Sequence, residues 1–188
     1  MSRLGKKPVY ISEKVKMEFK DKILEVTGPA GKLSQAIDKR LDIKINEDNL
    51  VVEALGDSRQ HNMLHGLTRG LVLNMIEGVT KGFKKELEMV GLGYKASIEN
   101  GKNLVLAVGF SHLVTVPIPY TVKVTSAITS DKNNLISVTG VDKYEVGAFA
   151  AKIRAVKPPE PYKGFGIRYV GERIIRKAGK AAAGTGKK

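Results

Sequence analysis

Leu50-Val51-Val52-Glu53-Ala54, followed by Asp57 and Arg69, returns later in the chain as Leu135-Ile136-Ser137-Val138-Thr139, followed by Asp142 and Arg154. All three landmarks share one offset of 85 residues, so the chain repeats itself. Each copy places an acidic residue three positions before Gln60 or Glu145. That is the capping-box spacing, in which an acidic N-cap accepts the backbone N–H of the third helical residue and that residue's side chain reaches back. Helical period follows in both copies. Val146, Phe149, Ala150 and Ile153 share one face of the second helix, and Leu64, Leu67, Leu71, Met75 and Val79 keep three- and four-residue spacing on the first. Gly78 or Gly82 ends the first helix, and Pro158 ends the second because the residue before a proline is pushed out of the α region.

Upstream of each helix the pattern changes to short strands separated by turn residues. In the first half the strands are expected at 15–19, 23–27, 32–36, 43–45 and 50–54, with turns at Gly28-Pro29-Ala30-Gly31 and Asn46-Glu47-Asp48-Asn49. In the second half they are expected at 85–90, 94–98, 104–108, 113–116, 122–125 and 135–139, with a turn at 99–103. Strands followed by one helix, performed twice, predict an α+β fold of two duplicated domains, each a small, mainly antiparallel sheet covered by its helix. The expected boundary is 1–81 and 82–188, with a basic extension from about 157.

Catalytic patterns fail on their chemistry. His61 and His65 are four residues apart, the zinc-protease spacing, but Asn62 stands where a general-base Glu is required, and His112 is the third and last histidine. The repeat aligns His61 with Val146 and His65 with Ala150, which predicts semi-buried helix positions. Gly28-Pro29-Ala30-Gly31-Lys32-Leu33 lacks the Ser or Thr that a nucleotide P-loop needs after its Lys. Gly164-Phe165-Gly166-Ile167-Arg168-Tyr169 has Tyr at the third glycine of a dinucleotide fingerprint and follows a Pro-rich loop, not a strand. There is no Cys to act as nucleophile, thiolate ligand or disulfide partner, which agrees with a reducing compartment. These failures predict a non-enzymatic chain with no metal, cofactor or small-molecule substrate.

Charge is more informative. Net charge is +3 over residues 1–81, +3 over 82–155 and +7 over 156–188, so more than half of the total of +13 lies in the final segment. Basic excess gathered at one end points to a polyanion. A membrane is the weaker candidate: Met1–Pro8 has charge but no apolar run after it, and no stretch approaches the eighteen apolar residues of a span, so a cytoplasmic protein is expected.

The segment 157–161, with three prolines, is expected to be extended and exposed. Tyr162, Lys163, Gly164, Phe165 and Gly166 then combine rings, a cation and glycines that let backbone approach a phosphate or ribose. Arg168, Tyr169, Arg173, Arg176, Lys177 and Lys180 continue the surface, with Lys157 at its root. Additional candidate contacts are Arg3, Lys6, Lys7, Lys84, Lys85, Lys95 and Arg154. Phe165, Ile167, Tyr169, Ile174 and Ile175 are too many apolar groups for a plain tail, so 162–177 is expected to pack partly on the second domain, whereas 181–188 reads as a solubilising end.

Pro158-Pro159-Glu160-Pro161-Tyr162-Lys163-Gly164 with Gly166-Ile167-Arg168-Tyr169 resembles the signature of the bacterial large-subunit ribosomal protein six family, and Ser2-Arg3-Leu4-Gly5-Lys6-Lys7-Pro8 is similar to the start of its members. The likeness covers essentially the whole chain. It implies two duplicated α+β domains and a structural protein that binds 23S-type large-subunit rRNA near the stalk base and sarcin–ricin region. Contact would be made mainly through the second domain and C-terminal extension, with neighbouring ribosomal proteins as further partners and the protein present as a monomer within the ribosome. The family usually places Lys between the two glycines, where this chain has Phe165, so a stacking or packing role is expected there. The rival readings are a free-standing RNA chaperone or DNA-binding protein and, from another class, a His61/His65 metallohydrolase.

Overall fold

A computed structural model describes residues 3–12, 14–46, 48–128, 134–177 and 179. The chain divides into two compact units, Met1–Phe83 with Thr139–Val146, and Lys84–Val138 with Gly147–Lys188.

In the first unit, β1 (Val9–Tyr10), β6 (Asn49–Ala54) and β5 (Leu41–Ile45) form one antiparallel sheet in that order, and β2 (Lys16–Lys20), β3 (Ile23–Gly28) and β4 (Gly31–Ala36) form another. The period of two explains the pairing. Leu50, Val52 and Ala54 fall on one face of β6 opposite Ile45, Ile43 and Leu41, and Leu24 and Val26 fall on one face of β3. Leu24, Val26, Leu41 and Leu50 have no solvent exposure, and each such side chain contributes about 1.5–3 kcal/mol by leaving water.

Helix α1 (Arg59–Thr80) covers this core, although its ends and buried face differ from expectation. Its N-cap is Ser58, not Asp57: Ser58 Oγ accepts the His61 N–H at 3.3 Å. Gln60 does not reach back but accepts from Arg40 Nη1 at 2.9 Å. The buried stripe is His65, Thr68, Val72, Met75 and Val79; Leu67 is 58% exposed. The true stripe begins with two polar residues, which hid it from an apolar pattern. Gly78 is buried inside the helix, and the stop comes at Gly82, whose φ of +73° lies in the left-handed region that glycine enters freely.

The second unit repeats the plan. Strands β8 (Lys95–Glu99), β9 (Asn103–Ala107) and β10 (Val114–Pro117) form an antiparallel meander in the sheet order β10-β9-β8. Strands β7 (Phe83–Val90), β11 (Val122–Ile128), β12 (Asn134–Gly140) and β13 (Gly166–Tyr169) form a four-stranded sheet in the order β11-β12-β7-β13. Helix α2 (Lys143–Val156) buries Val146, Phe149, Ala150 and Ile153, the face the periodicity predicted. At its start Asp142 Oδ1 accepts the Tyr144 N–H at 2.8 Å, one residue before the Glu145 amide that a capping box would engage.

The duplicated α+β architecture is therefore what the chain adopts, with the strands of each half shared between two small sheets. Two strands lay outside the sequence expectation: β1, only two residues long, and β13, drawn from the extension itself.

Candidate nucleic-acid interface

After α2, the prolines deny the chain a further helical turn and it folds back on itself. Ile167 N–H donates to Lys157 O at 2.8 Å, Glu160 N–H to Phe165 O at 2.9 Å and Gly164 N–H to Glu160 O at 3.1 Å. Gly166 adopts φ +140° with its Cα hard against the Pro-rich segment, where a Cβ would lie 2.6 Å from Pro158 O and 2.8 Å from Pro159 Cα. Gly164, at φ +79°, lies under the Arg176 guanidinium. Both glycines are buried, so their freedom serves a close approach of this chain to itself. Farther on, Lys177 N–H donates to Pro161 O at 2.8 Å, which returns the extension to its own start.

The strand this loop delivers, β13, pairs antiparallel with β7: Ile167 opposite Met89, Arg168 opposite Glu88 and Tyr169 opposite Leu87. Ile167 is fully buried. The charges on and around the strand are then neutralised inside the unit. Arg168 donates from Nε and Nη2 to Glu88 Oε2 at 3.1 and 2.9 Å. Arg154 grips Glu172 in a two-pronged contact, Nε to Oε2 at 3.1 Å and Nη2 to Oε1, and Glu172 Oε2 also accepts the Tyr169 N–H at 2.9 Å. The hydrogen-bonded Arg154 guanidinium holds the Glu172 carboxyl below the usual carboxylate range. Lys85 Nζ and Arg154 Cζ each lie 5.9 Å from the centre of the Tyr169 ring.

The residues named from sequence thus fall into two groups. Arg154 and Arg168 are engaged in ion pairs, Lys84 pairs with Glu86 at 2.6 Å, and Tyr169 is half-buried. Tyr162, Lys163, Phe165, Arg173, Arg176 and Lys177 are exposed, and among the described residues no carboxylate pairs with Lys163, Arg173, Arg176 or Lys177. Phe165 stands 41% exposed between the two buried glycines. Lys157 is half-buried, its Nζ 4.5 Å from the Phe110 ring centre. Lys95 is exposed on β8, and in the first unit Arg3, Lys6 and Lys7 are exposed ahead of β1, with Arg69 Nε donating to Lys7 O at 2.7 Å. Lys180 and 181–188 lie outside the described residues.

His65 and His61 have structural duties. His65 is 1% exposed and its Nε2 meets Val52 O at 2.8 Å; a carbonyl can only accept, so this nitrogen carries the proton. His61 Nδ1 lies 2.6 Å from Ser58 Oγ at the helix cap. Among the described residues no three His, Asp or Glu side chains gather as a metal site, and no helix is long and apolar enough to cross a membrane.

Two like α+β units, the second bearing a basic extension sewn back on as an edge strand, present an exposed basic surface. The family model described as "Ribosomal protein L6" matches residues 11–82 and 90–170, one segment for each half. The chain belongs to the ribosomal protein L6 family, whose members are structural constituents of the ribosome and not enzymes. It is 51% identical over 180 residues to large ribosomal subunit protein uL6 of Natranaerobius thermophilus, covering 96% of this chain and 98% of the relative. It is 48% identical to the uL6 of Pelobacter propionicus over 188 residues and the full length of both, and 44% identical to uL6c of Porphyra purpurea over 184 residues, 98% of this chain and 99% of that one.

Proposed function

We propose that this protein is a constituent of the large ribosomal subunit in the cytoplasm that binds 23S-type rRNA, chiefly through the exposed face of its C-terminal extension. The observation that carries this reading is the separation of charges. Arg154 and Arg168 are neutralised within the fold, while Lys163, Arg173, Arg176 and Lys177 stand exposed beside Tyr162 and Phe165. Cations of that kind grip phosphate oxygens, and adjacent ring faces take up bases or ribose. Because A-form helices hide their base edges, recognition is mainly of backbone and shape. Placement near the stalk base and sarcin–ricin region, with neighbouring ribosomal proteins as partners, rests on the family resemblance.

Binding to large-subunit rRNA should weaken with salt, with a log–log slope of roughly 0.7–0.9 per neutralised phosphate. The triple variant Lys163→Ala, Arg173→Ala, Arg176→Ala should flatten that slope by about 2–3. An unchanged slope would remove the assignment. Residue-resolved crosslinking in intact large subunits tests the location.

A further inference from the structure

The connection from β9 to β10, residues 108–113, holds a feature that neither the core nor the extension accounts for. Gly109, at φ +75°, turns the backbone so that Phe110 and His112 lie almost parallel, their planes 9° apart and ring centres 5.7 Å apart. Both residues are exposed, Phe110 by 42%. The Tyr94 ring fills the space beside two glycines: a Cβ would reach it at 2.7 Å from Gly91 and 3.4 Å from Gly109. Tyr94 O in turn accepts from Asn134 Nδ2 at 2.6 Å. The Tyr94 ring thus packs under the backbone of Gly109, at the turn that carries the two outer rings.

Lys157 joins this loop to the root of the extension. Its ammonium lies 4.5 Å from the Phe110 ring centre, and its carbonyl holds Ile167 at the start of β13. Phe110 keeps 42% of its surface in water and His112 is exposed, and apolar ring surface left in water adds little to the fold. A planar π system laid on them would remove that surface from solvent. RNA-binding proteins present aromatic and histidine rings to unstacked bases in this manner, with a cation nearby for the backbone.

We infer that Phe110 and His112 form a stacking platform for an unpaired base of large-subunit rRNA, with Lys157 beside it for the flanking phosphate. The assignment rests on the RNA-binding reading given above and adds to it a contact made by ring faces. The two kinds of contact differ in their salt dependence, because stacking releases no counterions.

The test uses the full chain and large-subunit rRNA over a range of salt concentrations. His112→Ala and Phe110→Ala should each weaken binding roughly 5- to 100-fold with the salt slope unchanged. His112→Tyr, which keeps a ring, should bind as the parent does, and His112→Leu, which keeps bulk without one, should behave like His112→Ala. Thermal melts of the three His112 variants should match the parent, because His112 is exposed, and Phe110→Ala, which loses the Lys157 contact, should lower the midpoint only slightly. If His112→Ala and Phe110→Ala bind at parental strength while the Lys163/Arg173/Arg176 variant flattens the slope, the platform is wrong and the RNA-binding reading stands. A slope that flattens in His112→Ala also overturns the platform, by making the imidazole a charge contact. If the parent shows no salt-dependent binding to the RNA, both readings fall.

Discussion

Arg168 and Glu88 sit directly opposite one another across β13 and β7, eighty residues apart in sequence, with Arg168 Nη2 2.9 Å from Glu88 Oε2. Both side chains are largely shielded, at 28% and 19% exposure. The cation that a residue count assigns to RNA thereby fastens the extension to the sheet.

This geometry predicts that Arg168→Ala lowers stability by about 1–2 kcal/mol, the cost of a charge-assisted contact at a partly buried site. It should leave the salt slope of RNA binding unchanged. The charge-swapped pair Arg168→Glu with Glu88→Arg should recover part of the loss. Denaturant melts and salt titrations of the three proteins separate a structural role from a phosphate contact.

Glu172 predicts an acid limit to the extension's docking. Its carboxyl titrates below its ordinary value of 4.5 in the folded state because Arg154 hydrogen-bonds the charged form. A depressed folded value means that the unfolded chain binds the proton first on acidification. The contribution is therefore complete above about pH 5 and disappears as pH falls through the folded value. Glu172→Gln should be less stable than the parent at pH 7, and the difference should shrink below pH 4.5. Denaturant midpoints at pH 7 and pH 3 give the comparison.

The β2–β3 hairpin predicts a stabilising change. Asp21 and Lys22 close it with φ of +50° and +60°, a left-handed pair that costs non-glycine residues about 1 kcal/mol or more each. Asp21 is exposed, so Asp21→Gly should gain roughly 0.5–1 kcal/mol after allowing for the added freedom of the unfolded chain. Lys22→Gly should gain little, because Lys22 Nζ donates to Leu41 O at 2.9 Å and to Asp42 Oδ1 at 3.1 Å. Thermal melting of the two variants decides it.

Gly166→Ala should be among the costliest single changes in the extension. A Cβ there would lie 2.6 Å from Pro158 O on a backbone already at φ +140°, so β13 must shift or detach, at a cost of about 2 kcal/mol or more. Faster amide exchange at Val170, whose N–H donates to Glu86 O at 3.0 Å, would report the detachment.

The duplication was legible because it is written in local signals. The alternation of 50–54 and 135–139, Asp142 before α2 and the Val146/Phe149/Ala150/Ile153 stripe each speak for a neighbouring element. Long-range relationships were not. Ser58 and Asp57 are both good caps, and only the fold shows that Ser58 holds the turn. His65 enters the core because Val52 O waits for its N–H, a contact between helix and strand that no helical period records. The basic and aromatic residue types of the extension are plain in the sequence, but which of its arginines pair within the fold is not. Arg168 finds Glu88 and Arg154 finds Glu172 only after the prolines have turned the chain back. The stacking of Phe110 on His112 is not legible either, because a Gly-containing loop with one ring and one imidazole has no motif to announce it.

The place of β13 beside β7 has a further consequence during synthesis. Until residues 166–169 have been made and docked, the eight-residue strand β7 is the open border of its sheet, with a row of unmatched N–H and C=O groups. The strand of that sheet made last is thus the one that closes it against pairing with another copy, and a product that stops before Gly166 carries a ready template for clumping.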